Sequence, residues 1–251
     1  MAIDTHMHVN SLIKLDQDDV IERVNKDKFI DSVINVGLNL PTSLDSVSIA
    51  RKNKKFYSAV GIHPLWTHNE DFYKLYDLCD DDRVVAIGEV GLDGGNNNYE
   101  DQRKLLIRQI KIANDLHLPV IIHANNTNME VVEVFRRYAK PLYGCVFHCF
   151  QPELVTLKYL IDNNIYVSFA GRITWLTAKK SIEVAKLVPD DLLLAETDSP
   201  YVKTESSFNG MNESSNIRLV IKKLAEVKRM EYKDMEALTK HNAKRLFRKI
   251  R

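Results

Sequence analysis

The side chains of this sequence best suited to chemistry are histidines and carboxylates at recurring positions. His6 and His8 stand two apart, directly after the short apolar run Ala2-Ile3. In an extended strand end that spacing points both imidazoles the same way. Two such rings repel if protonated, but as neutral ligands they chelate a divalent cation. His63, Glu89, His123, His148 and Asp198 each follow another short apolar run. The two oxygens of Glu89 can bridge two cations, with His123 and His148 on the second. Asp198 can bind the first and take the proton of a water attached to it. Two cations about 3.5–4 Å apart sharing that water make hydroxide near neutral pH and neutralise charge on the attacked group. Ligation needs deprotonated imidazoles, so activity is expected to fall as pH drops toward the histidine pKa.

Such a centre requires elements that bring distant residues to one place. The apolar runs fall at Ala2-Ile3, 32–36, 57–60, 84–87, 120–122, 145–147, 165–168 and 192–195. Runs this short, bounded by turn residues or polar ones, read as buried parallel strands. Between them lie segments of helical period. Leu106, Ile110, Ala113 and Leu116 form one stripe between Glu100 and His117, with Arg103, Lys104, Arg108 and Lys111 off it. Ile217, Val220, Ile221 and Leu224 do the same between Asn216 and Lys228. Eight strand–helix units in 251 residues predict one (β/α)8 TIM barrel over residues 1–251, whose strands end on a shared face where active sites are built. Gly-x-Gly-x-x-Gly occurs nowhere, which argues against an open dinucleotide-binding sheet.

Composition narrows the class. Lys and Arg number 35 against 34 Asp and Glu, so no bulk polyanion-binding surface is implied. Three scattered cysteines fit a reducing compartment, the N-terminus lacks a secretory pattern, and apolar stretches are too short to span a membrane. A cytoplasmic, monomeric protein without a membrane partner is expected. A lone histidine at a strand end is ordinarily a hydrogen-bonded or solvated residue, and the metal reading rests on the convergence of six ligands. His68 in a loop, His117 at a helix end and His241 in the C-terminal helical region read as structural or solvated. Asp4 can orient a neighbouring ligand. Trp175, beside Arg172 after the seventh strand, can stack on a base or sugar, as can Trp66 after the third. The basic segment from Lys240 to Arg251 reads as a solvated helix end favoured by the helix dipole.

Taken in order, Asp4-Thr5-His6-Met7-His8, Gly61-Ile62-His63-Pro64, Gly88-Glu89-Val90-Gly91-Leu92-Asp93, Pro119-Val120-Ile121-Ile122-His123, His148-Cys149-Phe150, Glu196-Thr197-Asp198-Ser199-Pro200-Tyr201 and Asn242-Ala243-Lys244-Arg245-Leu246-Phe247 resemble the TatD family of metal-dependent deoxyribonucleases, nearly end to end. The resemblance implies that His6, His8, Glu89, His123, His148 and Asp198 ligate divalent cations (Mg²⁺, Mn²⁺ or Zn²⁺). It places His63 near the scissile phosphate, makes Asp198, His63 and Glu89 the catalytic residues, and makes DNA, single-stranded or attacked from an end, the substrate. The loops depart from the family pattern. Gly94, Gly95 and Asn96 stand where an aromatic pair and an arginine are usual, Ala124-Asn125 where an arginine follows, and Gln151-Pro152 where Ser-Gly is usual. Substrate contacts are therefore expected from Arg172, Trp175 and Asn125, with fewer cations to clamp phosphate. Two other functions stay open: a metal-dependent hydrolase of a small ester, amide or phosphoester, and a catalytically weak barrel subunit of a larger complex.

Overall fold

The computed structural model describes residues 1–67, 71–95, 98–139, 143–207 and 210–251; His68 and Asn96 lie outside them. Eight parallel strands follow one another around a sheet in chain order: β1 (Ala2–Met7), β2 (Ile30–Val36), β3 (Phe56–Val60), β4 (Val84–Asp93), β5 (Val120–Asn125), β6 (Cys145–Phe147), β7 (Tyr166–Phe169) and β8 (Leu193–Ala195). Each begins within two residues of its sequence-based start. Helices pack outside: α1 (Lys14–Lys26), α2 (Leu40–Lys52), α3 (Phe72–Leu78), α4 (Tyr99–Asp115), α5 (Asn128–Tyr138), α6 (Leu154–Asp162), α7 (Lys179–Leu187), α8 (Ile217–Lys228) and α9 (Tyr232–Leu246). This is the (β/α)8 barrel, with β-branched and aromatic residues such as Ile34, Phe56, Ile87 and Phe147 buried in its strands. Among the described residues, no helix is long and apolar enough to cross a membrane.

The strands run further than their apolar cores. β4 continues through Glu89 to Asp93, and β5 through His123 to Asn125. Glu89 and His123 thus lie within strands rather than just past them. Ladder pairing depends on the backbone, so polar residues at a strand's C-terminal end extend it where hydrophobicity alone shows nothing. Gly91 sits beside His123 in this register, and a Cβ there would lie 1.8 Å from the His123 carbonyl oxygen. Only glycine permits that approach.

Helix α4 presents Leu106, Ile110 and Ala113 to the core, as its stripe requires. Its same face carries the buried Gln102, whose amide accepts from the Asp93 N–H at 2.7 Å and donates to the Asp93 carbonyl at 3.2 Å. The end of β4 is thereby fixed by a side chain that imitates a neighbouring strand. The seam between β1 and β8 is irregular. It closes through the Met7–Ser199 bridge and through hydrogen bonds from Asp198 N to the His6 carbonyl (2.9 Å) and from His8 N to the Ser199 carbonyl (2.7 Å).

At the other end of the barrel the basic C-terminal segment is stitched down. Lys240 pairs with Asp31 at 3.1 Å, and Arg245 donates to the Tyr166 hydroxyl at 2.5 Å. Both His117 and His241 are exposed, as expected of solvated residues, and Cys79, Cys145 and Cys149 are free thiols.

Candidate metal centre

The six expected ligands meet at the C-terminal face of the barrel, with Glu89 between them. Its Oε2 lies 3.5 Å from Nε2 of both His6 and His8. Its Oε1 lies 2.7 Å from His123 Nδ1 and 2.7 Å from His148 Nε2. One carboxylate therefore turns an oxygen to each of two histidine pairs. Asp198 closes the first pair, its Oδ1 3.5 Å from His8 Nε2 and 3.9 Å from His6 Nε2. His6 and His148 stack with ring centres 4.0 Å apart, joining the two halves. His63 joins the second half, with Nε2 3.7 Å from Glu89 Oε1.

Hydrogen bonds at the outer ring nitrogens indicate what the inner ones offer. His8 Nδ1 lies 2.9 Å from the Val36 carbonyl, which can only accept. The proton is therefore on Nδ1, and the Nε2 lone pair faces inward. That lone pair is 2.9 Å from His6 Nε2, a contact relieved only by a proton or a cation. His6 Nδ1 is buried without a partner. His63 is the opposite case. The Leu65 N–H donates to its Nδ1 at 3.2 Å, so Nε2 carries the proton and points into the site as a donor. Imidazole and carboxylate donors grouped within 4.8 Å as His6–His8–Asp198 and His6–Glu89–His148 suit a divalent transition metal better than an alkali ion.

The electrostatics follow from burial and proximity. Burial opposes the charged form of Glu89, but His148 and His63 with two hydrogen bonds outweigh it, so its carboxyl titrates well below the usual range. Burial likewise opposes protonation of His148, yet Glu89 and Glu196 lift it well above an ordinary histidine. His8 and His123 rise for similar reasons, against their burial, through Asp198 and Asp93 respectively. His6 is lowered, by burial and then by His148, and burial lowers His63 to about 4. The centre holds protons that a cation must displace.

Above it opens a cavity of about 420 Å³ whose walls include Leu65, Trp66, Asn125, Gln151, Tyr201 and Arg172, the one lysine or arginine lining it among the described residues. Arg172 faces the Trp175 ring at 5.6 Å, and Trp175 Nε1 donates to the Lys203 carbonyl at 2.8 Å. Trp175 thus backs Arg172 rather than lining the cavity, whereas Trp66 lines it and is half exposed. Asn125 does line it, with its amide hydrogen-bonded to Asp93 and Gln151. Sequence reasoning passed over Tyr201, Gln151 and Asp93 as site residues. Tyr201 and Gln151 lie in loops without periodicity, but Asp93 was accessible: it shares a strand face with Glu89 at a spacing of four.

A parallel barrel with a divided histidine–carboxylate centre at its C-terminal face has the architecture of a metal-dependent hydrolase. Residues 3–248 match the family model described as TatD related DNase. The uncharacterised metal-dependent hydrolase YabD of Bacillus subtilis is 34% identical over 99% of each chain. The 3'-5' ssDNA/RNA exonuclease TatD of Shigella flexneri is 27% identical over 92% of this chain and 93% of its own. Among solved structures, the TatD homologue YjjV of Escherichia coli superposes with a TM-score of 0.89 at 25% identity, covering 98% of both chains. The chain belongs to the TatD family of metal-dependent hydrolases.

Proposed function

We propose that this protein hydrolyses phosphodiester bonds in DNA, acting on single strands or from an end, with two divalent cations. The observation that carries the reading is the opposed placement of the Glu89 oxygens, one toward His6 and His8 and the other toward His123 and His148. His6, His8 and Asp198 would hold one cation, His123 and His148 the other, with Glu89 shared. When bound, such cations supply Lewis acidity, lowering the pKa of water and neutralising charge on the attacked group. Asp198 is kept ionised, because His8, His6 and His148 together outweigh the effect of its burial, and it accepts the proton of the attacking water. His63 stays neutral and donates from Nε2 to a phosphate oxygen. Arg172, steadied by Trp175, meets the phosphate charge, while Trp66 and Tyr201 offer faces to a base. Two curated names support the nucleic-acid substrate: the family description and the exonuclease of Shigella flexneri.

The test is metal-analysed protein assayed on end-labelled single- and double-stranded DNA, beside His123→Ala and Asp198→Ala. Metal-dependent cleavage retained by both variants would remove the mechanism. That Arg172 is the single arginine on the cavity wall among the described residues favours a second reading, a small phosphoester as substrate. Turnover of small chromogenic esters with no salt-sensitive cleavage of DNA would select it.

A further inference from the structure

Asp93 is a carboxylate of this face that the proposed chemistry leaves without a task. Its Oδ2 lies 3.0 Å from His123 Nε2, while His123 Nδ1 lies 2.7 Å from Glu89 Oε1. The ring of His123 is thus held between two carboxylates, one on each nitrogen. Glu89 faces the centre and Asp93 faces away from it.

The two carboxylates differ in what else grips them. Asp93 Oδ2 also accepts from Asn125 Nδ2 at 3.1 Å, and its Oδ1 accepts from the Gly95 N–H at 2.9 Å. Asn125 is held in turn by Gln151, whose Nε2 donates to Asn125 Oδ1 at 2.8 Å, while Gln151 Oε1 accepts from the Asn126 N–H at 3.1 Å. The Asp93 main chain is clamped by Gln102 on both its N–H and its carbonyl. Among the described residues, each group hydrogen-bonded to the carboxylate is a donor, so Asp93 is an acceptor in a fixed position. The remaining hydrogen it can take is the one on His123 Nε2.

We infer that Asp93 is a positioning residue that fixes His123 as the Nε2–H tautomer, so that Nδ1 presents its lone pair to a cation. The inference rests on the metal reading above. It also gives the neutral loop residues a use. Asn125 and Gln151, standing where the TatD pattern carries other residues, hold Asp93 in place. A carboxylate or carbonyl behind a ligating histidine sets both the ring's orientation and its basicity. In Asp93→Asn, Oδ1 can still accept from Gly95, but the amide NH₂ then meets two donors. The arrangement is relieved when His123 moves its proton to Nδ1, which removes the lone pair from the centre.

The experiment combines Mn²⁺ titration by calorimetry with ¹⁵N imidazole spectra of the metal-free protein, for wild type, Asp93→Asn and Asn125→Ala. Thermal melts of the metal-free proteins check folding. Wild type should take up two equivalents of Mn²⁺. Asp93→Asn should keep the first and bind the second about 10–100-fold more weakly, the usual effect of removing such a partner. Asn125→Ala, which keeps the carboxylate, should weaken the second equivalent by less than Asp93→Asn does. At a pH above its imidazolium titration, the neutral His123 ring should show Nε2 protonated in wild type and Nδ1 protonated in Asp93→Asn. Equal Mn²⁺ affinities in wild type and Asp93→Asn, or an unchanged His123 tautomer, would overturn the inference. If wild type binds no second equivalent, the two-cation reading fails, and the tautomer comparison alone decides the role of Asp93. If Asp93→Asn does not fold, Asn125→Ala decides: unchanged affinity and an unchanged tautomer mixture overturn the inference.

Discussion

Gln109 of α4 and Ile62, two residues past the end of β3, exchange two hydrogen bonds, Ile62 N to Gln109 Oε1 at 2.7 Å and Gln109 Nε2 to the Ile62 carbonyl at 3.0 Å. A helix side chain thereby completes the backbone immediately before His63. Both residues are buried, so no water replaces the amide when it is removed. Gln109→Leu keeps the volume but strands an N–H and a carbonyl, each costing about 1–3 kcal/mol. Urea unfolding of the metal-free protein should show a loss of about 2–5 kcal/mol. A loss below about 0.5 kcal/mol, the scale of a surface substitution, would mean that the pair does not fix the strand end.

Asp4 closes the barrel seam. Its carboxylate accepts from Thr197 N at 2.9 Å, Thr197 Oγ1 at 2.6 Å and Ser214 Oγ at 2.5 Å. β8 is three residues long, so these contacts supply much of what an extended ladder would. Asp4→Ala leaves these donors, and the His6 N–H at 3.4 Å, without their acceptor, and a loss of about 3–6 kcal/mol is expected. Hydrogen exchange localises the effect. The amides of His8 and Asp198, which cross the seam, should exchange much faster, while those between β4 and β5 change little. Uniform acceleration across the barrel would show that Asp4 stabilises it without acting on the seam.

The fold was legible because the apolar runs and amphipathic stripes recur in strict alternation, and barrel geometry then dictates that Glu89, His123 and His148 meet. Their convergence needed no knowledge of loops. The second layer was hidden for a physical reason. Gln102 and Gln109 act through their amides on main-chain groups, and no periodicity distinguishes a buried glutamine from a solvated one. Asn125 looked like a substrate residue, because its sequence position shows exposure to the cavity but not the two partners that engage its amide. Trp175 and Trp66 both follow a strand in the sequence; in the structure the Lys203 carbonyl accepts from the Trp175 indole, while Trp66 lines the cavity.

Cation uptake should release protons. His8, His123 and His148 all have pKa values raised in the metal-free protein, so each holds its proton to higher pH than a free histidine does. A ligand nitrogen must lose that proton, which makes apparent affinity fall as pH is lowered. His63, with its pKa pushed down to about 4, contributes no proton in this range. Zn²⁺ titrations in two buffers of different ionisation enthalpy should give net proton release, with tighter binding at about pH 8 than at about pH 6. Equal heats in the two buffers, with affinity independent of pH, would contradict the protonated state of the centre. Chelator treatment should abolish hydrolysis, and added Zn²⁺ or Mn²⁺ should restore it.

Arg172 tests whether a phosphate charge is clamped on the cavity wall. Its guanidinium stands on the cavity wall, where its charge can meet a phosphate oxygen. If DNA is the substrate, Arg172→Ala should raise KM for a single-stranded oligonucleotide by about 10–100-fold, the worth of a charge-assisted hydrogen bond. The slope of log affinity against log salt should drop by about one phosphate contact. Trp66→Ala should weaken the same oligonucleotide by about 1–3 kcal/mol through lost stacking, with little change in its salt slope. Hydrolysis of a small neutral ester should be nearly insensitive to Arg172→Ala, because no phosphate charge is present to clamp. Steady-state kinetics on both substrates at two salt concentrations read out all four expectations. An Arg172→Ala enzyme with an unchanged KM and salt slope on DNA would place the phosphate elsewhere on the barrel face.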